Sequence, residues 1–184
     1  MSAEPETSFQ PVSPRTAEKP MAFNFGEFKG GAFRAWGWFL LFSLPALVVA
    51  PFAPALSADF SWAQALVGVF YLIPIGFPFV VLPSSIGALL VWSPLAYLLG
   101  LALRRNASVS VHVVAFAIFG IGIGVATAVI ASVALNLPAP MMVGFVLASG
   151  IAVPLGWYRT ARRVLEDDEI SAASVDVVPA LPED

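Results

Sequence analysis

The chain has 184 residues, 59% of them hydrophobic and only 11% charged, where a soluble domain carries about 25% charged residues. Eighteen of the 21 charged residues lie in positions 1–34 and 159–184, and the 124 residues between hold only Asp59, Arg104 and Arg105. Such a core cannot face water, which excludes a soluble enzyme, a nucleic-acid binder and a disordered chain. It points to an all-α integral membrane protein, because helices satisfy their own backbone hydrogen bonds in lipid. Cysteine is absent, so there is no disulfide, thiolate nucleophile or Cys-based metal site.

Residues 1–32 read as an N-terminal tail. Its first 20 positions are rich in Pro, Glu, Ser and Thr and are expected to be disordered. Phe23, Phe25, Phe28 and Phe33 follow, interleaved with Lys29 and Arg34, a pattern that suits a segment lying on the inner leaflet. A transmembrane bundle is expected over 33–160. The first span runs over 35–56, with Trp36, Trp38 and Phe39 at its start and Pro45, Pro51 and Pro54 bending and loosening it. This apolar run is too long for a signal peptide, and the charges before it are balanced rather than basic. An uncleaved span is therefore expected, with Ala55-Leu56-Ser57-Ala58 only a crude cleavage site.

The next uncharged stretch, Ala63 to Leu103, is too long for one crossing and just enough for two, and prolines interrupt it at 74, 78, 83 and 94. The positive-inside rule decides between four spans and five. Four spans with both tails inside put all nine Lys and Arg on the cytoplasmic side and leave only Asp59 among charged residues in the outer loops, whereas five spans divide the bases. The second span is accordingly expected over 85–103. Ser61 to about Ile73 should form an outer-surface or partly inserted helix, with Asp59 as a capping candidate. Pro74-Ile75-Gly76-Phe77-Pro78-Phe79 should be an extended connector, because proline removes a donor and disfavours helix in the residue before it; a loose outer loop is the first reading, with a re-entrant element or a kinked full crossing as alternatives. The expected architecture is thus a four-transmembrane-helix bundle with a Pro-rich interfacial or partly re-entrant segment between spans 1 and 2.

The third span is expected over 111–135 and the fourth over 139–158, joined by a short turn around Asn136-Leu137-Pro138. Small residues recur every fourth position in both: Gly120, Gly124, Ala128 and Ser132, then Gly144, Ala148, Ala152 and Gly156. Residues four apart share a helix face, and small faces let helices approach closely in lipid. An antiparallel hairpin with the two grooves face to face is expected, with self-association between copies as the competing use. Trp36, Trp38, Trp157 and Tyr158 mark the inner interface and Trp62 the outer one; Trp92 lies mid-span, where its indole N–H favours a partner within the bundle and a lipid-facing ring is an equal alternative. Residues 161–184 form the C-terminal tail, where Arg162 and Arg163 precede the acidic run Glu166-Asp167-Asp168-Glu169, expected to be solvated.

Chemistry is scarce inside the spans, where an ionisable residue is the usual pointer to function. His112 is the only histidine and is expected at the inner interface, solvated or hydrogen-bonded. A serine nucleophile needs a histidine within reach of its proton, and Ser149 lies deeper than His112. Gly120-Ile121-Gly122-Ile123-Gly124 lacks the third glycine of a dinucleotide loop. No catalytic, cofactor-binding or metal site is therefore assigned, and no cofactor is expected. Neutral polar side chains that could line a path are Ser93, Tyr97, Thr127, Ser132 and Ser149. The expectation is a non-enzymatic structural, accessory or regulatory component of a membrane assembly in the plasma membrane, on compositional hints a bacterial inner membrane. Its partners would be the lipid bilayer and a protein partner or a second copy, and not nucleic acid. The alternative is a small permease, or permease subunit, for an apolar or uncharged solute. The Pro74–Ser85 segment separates the two: lining a cavity favours transport, and lying flat outside favours the accessory role.

Overall fold

The computed structural model describes residues 13–52, 61–135 and 139–175. The expectations for Asp59, for the Asn136–Pro138 turn and for the extreme tails fall outside these residues. Among the described residues the chain is helical, with α1 at Phe25–Val49, α2 at Trp62–Tyr71, a π-helical stretch π1 at Leu72–Val81, α3 at Leu82–Leu103, α4 at Val109–Leu135 and α5 at Ala139–Val175. Four helical segments are long and apolar enough to cross a membrane: Phe25–Phe52, Trp62–Leu103, Val109–Ala134 and Met142–Ile170.

Helix α1 begins ten residues earlier than expected, so the Phe-rich segment is not a separate surface element. The reason is a capping box at Asn24. Its side chain accepts from the Glu27 N–H at 2.8 Å, and the Glu27 carboxylate accepts from the Asn24 N–H at 3.0 Å. Phe23, Phe25 and Phe28 gather around Tyr97 of α3, with ring centroids 5.1–6.0 Å from it. At the other terminus, α5 continues through the acidic run to Val175, into residues expected to form a tail.

The Pro-rich stretch departs furthest from expectation. It is not extended; it is helical with i→i−5 hydrogen bonding, as where the Leu82 N–H donates to the Phe77 carbonyl. Proline cannot donate and crowds the carbonyl four residues back, and widening the turn to a π register re-satisfies the neighbouring groups. Trp62–Leu103 thereby becomes one continuous 42-residue helical segment, roughly 60 Å long. Its first part, α2, starts at a Ser61 cap and lies over the far end of α1, with Trp62 beside Phe52 and Gly68 against Pro51.

Helix α5 is the centre of the packing, with α1 along one side and α4 along the other. The small residues do mediate both contacts, but the two grooves do not face each other. Gly120 and Gly124 of α4 receive Val146, Ser149 and Val153 of α5: a Cβ on Gly120 would lie 2.5 Å from the Ser149 carbonyl oxygen, and one on Gly124 would lie 2.8 Å from Val146 Cα. The stripe on α5 instead receives α1, with Gly144 against Ala46 and Gly156 against Ala35. Ala148 and Ala152, between those points, are fully enclosed. A helix has several faces, and α5 spends one on each neighbour. Helix α3 touches this three-helix layer at few points, and Gly87 on it meets nothing within 4 Å.

Placing a side chain at these contacts should therefore be costly only where a backbone lies opposite. Gly156→Leu and Gly124→Leu should each destabilise the protein by about 1–3 kcal/mol or more, while Gly87→Leu should be close to neutral. Thermal unfolding of the three variants in one detergent checks this.

Candidate functional site: a cleft between α3 and the α1–α5–α4 layer

Because α3 stands off the layer, a cleft of about 470 Å³ remains between them. Its α1 wall runs from Glu27 to Ala50, roughly 35 Å at the helical rise, close to the hydrocarbon thickness of a bilayer. Leu72, Gly76, Val80 and Val81 of the Pro-rich stretch, followed by Ser84 and Ser85 of α3, form much of the opposite wall towards the end away from the tails. Phe116 to Ala131 of α4 and Met142 to Leu165 of α5 form its floor, and Trp92, mid-helix on α3, also lines it.

The lining is overwhelmingly apolar, and its few polar groups are largely occupied. Trp36 of α1 donates its indole N–H to Ser85 Oγ of α3 at 3.0 Å, a bond across the cleft between its two walls. Ser85 in turn donates to the Leu82 carbonyl at 2.8 Å, Ser93 to the Leu89 carbonyl, and Thr160 to the Gly156 carbonyl at 2.8 Å. Ser149 Oγ lies 2.8 Å from the Gly120 carbonyl and 2.9 Å from that of Val146. Hydroxyls turned back onto helix carbonyls satisfy themselves locally, so the middle of the cleft offers no charge and little hydrogen-bonding power. Charge enters only at the end bearing the tails, where Arg15 and Glu27 line the cleft and pair at 3.1 Å.

Of the five neutral polar residues singled out in the sequence, the fold brings Ser93, Thr127 and Ser149 into this cleft. Tyr97 packs against the Phe23–Phe28 cluster instead, and Ser132 lines a separate shallow hollow between α4 and α5. The Trp36–Ser85 bond had no sequence signal, because it depends on how two helices distant in the chain are juxtaposed. The capping box did have one, in the Asn-x-x-Glu spacing.

His112 is not solvated. It is 1% exposed and stacks on Trp157 at 4.7 Å and 11°, with Phe116 also stacked on that indole. Nδ1 lies 3.0 Å from the Ser108 carbonyl; a carbonyl only accepts, so Nδ1 carries the hydrogen. Nε2 is buried with no hydrogen-bond partner among the described residues. Its stacking partner Trp157 lies eight residues along α5 from Ser149, about 12 Å, so the histidine and that serine form no catalytic pair. Among the described residues no group of three or more His, Asp or Glu side chains is placed to hold a metal.

No protein-family model matches this chain, and no curated protein or solved structure is significantly similar to it.

If the Trp36–Ser85 bond ties α3 to the layer, Trp36→Phe and Ser85→Ala should each cost about 1 kcal/mol, and the double variant little more than either alone. A double-mutant cycle read by unfolding in detergent measures that coupling.

Proposed function

We propose that this is a four-span, multi-pass protein of the cell membrane that admits an apolar or uncharged solute to the cleft, as a small permease or permease subunit. One observation carries the reading: the Pro-rich stretch lines a cleft that runs the length of the bundle rather than lying apart from it. A transport path for an ion or a charged solute needs charged groups or free polar groups at mid-depth; this cleft holds no charge there, and its hydroxyls are mostly turned back onto helix carbonyls. Its apolar walls, bridged by the Trp36–Ser85 bond, match an apolar occupant.

The same proposal includes orientation. All nine Lys and Arg sit at one end of the helix bundle: Arg15 reaches α5 at Asp168, Arg34 donates to Thr160, Arg159 stacks over Trp38, and the Arg104-Arg105 pair lies at the turn between α3 and α4. The positive-inside rule makes that end cytoplasmic, with both termini there. Helix α2, crossing the far end of α1 with Trp62 and Tyr71 exposed, then lies at the outer interface and absorbs the surplus length of the second segment.

Two measurements test these statements. Single cysteines at Ser2 or Ala107 should resist an impermeant maleimide added to intact cells, and one at Gln64 should react; the reverse pattern overturns the orientation. Native mass spectrometry after gentle purification should show a small apolar species bound one to one and lost in Ala88→Trp, which fills the cleft. A stoichiometric protein partner in place of such a species would support the accessory role instead.

A further inference from the structure

The segment before α1 is not a loose tail. Residues 13–24 fold across the end of the cleft that bears the charges, and Arg15, Met21, Ala22 and Phe23 form its end wall. Mutual backbone bonds between Thr16 and Lys19, at 3.4 and 3.0 Å, shape the strap into a turn. Its anchors are spread over three long helices, α1, α5 and α3. Arg15 pairs with Glu27 in the first turn of α1 at 3.1 Å and with Asp168 of α5 at 2.9 Å, and Ser13 donates to the same Asp168 oxygen at 2.9 Å. The Met21 N–H donates to the Arg104 carbonyl, at the end of α3, at 3.3 Å. The Phe23 ring seats in a notch that exists only because position 100 of α3 is glycine: a Cβ there would lie 2.5 Å from the ring.

We infer that this strap is a latch that closes the cleft to water at its charged end, with the Arg15 ion pairs as its fastening. The latch regulates the site described above, so its role rests on the cleft being a solute site. Its physics favours reversible opening. The Arg15 side chain is only 14% exposed, whereas that of Asp168 is 35% exposed, so one of the two pairs remains within reach of water and salt. The remaining anchors are the Ser13 hydroxyl on Asp168, one backbone hydrogen bond and one aromatic ring in a notch, interactions that break locally without unfolding the bundle. Opening would remove the end wall and leave the α1–α5–α4 layer intact, because the close glycine contacts of that layer involve no residue of 13–24.

The test uses the full chain, which has no native cysteine, carrying Ala32→Cys inside the cleft, in phosphatidylcholine nanodiscs. The rate of modification by an anionic, water-soluble methanethiosulfonate reports access from the aqueous side. The parent should react slowly, and Arg15→Ala about tenfold faster, with Arg15→Lys close to the parent. Gly100→Ala attacks the latch at its other end by displacing the Phe23 ring, and should accelerate the reaction by a similar factor without touching the ion pairs. Raising the salt concentration should speed the parent and leave Arg15→Ala unchanged, and this arm survives if a variant fails to fold. Rates unchanged in folded Arg15→Ala and Gly100→Ala, no salt effect in the parent, or a parent already as fast as the variants would each overturn the latch. Failure of the solute reading looks different: access would still change while no apolar species is found bound.

Discussion

Everything in this fold is arranged around the backbone-to-backbone approach of helices along α5. In lipid there is no solvent to escape, so helices hold together by close packing, and close packing requires side chains small enough to let backbones meet. Helix α5 supplies that on two faces. Gly144, Ala148, Ala152 and Gly156 admit α1, and the face around Ser149 fits against Gly120 and Gly124 of α4. Ser149 adds a hydroxyl contact to the Gly120 carbonyl, an interhelical bond made possible by the same proximity.

What α3 lacks follows from what α5 has. No small stripe on α3 meets a neighbouring backbone, and its connection to the layer rests on scattered contacts and the Trp36–Ser85 bond. A gap is the geometric result, walled by Trp36 and Phe39 on one side and by the Pro-rich stretch and Trp92 on the other. The prolines contribute indirectly. By forcing a π register rather than breaking the chain, they keep Leu72–Val81 helical and bring its side chains to the cleft. Hydroxyls that satisfy themselves on their own helices keep the interior of this gap apolar, and charge is confined to one end.

That end is organised as well as charged. Arg15 joins the first turn of α1 to the far extension of α5, so the segment before α1 is tied down by Asp168, while Glu166, Asp167 and Glu169 of the acidic run stay exposed. His112 belongs to the same end. Buried and stacked on Trp157, it packs α4 on α5 with one ring nitrogen satisfied by the Ser108 carbonyl.

The class of this protein is legible in its amino-acid order. The placement of its charges, the length of its apolar runs and its small-residue stripes marked a helical membrane chain, and α4 and the start of α5 lie close to where those patterns put them, because hydropathy and helical periodicity are local properties. The same stripes did not reveal their partners, since the face a groove turns towards depends on how three helices share α5. Nor could the prolines announce a π-helix, because local preference favours an extended connector and only a neighbouring wall rewards a widened turn. The cleft, the burial of His112 and the reach of Arg15 to Asp168 were decided by tertiary structure alone. Each joins residues far apart in the chain, and no local signal records which distant backbone leaves room and which fills it.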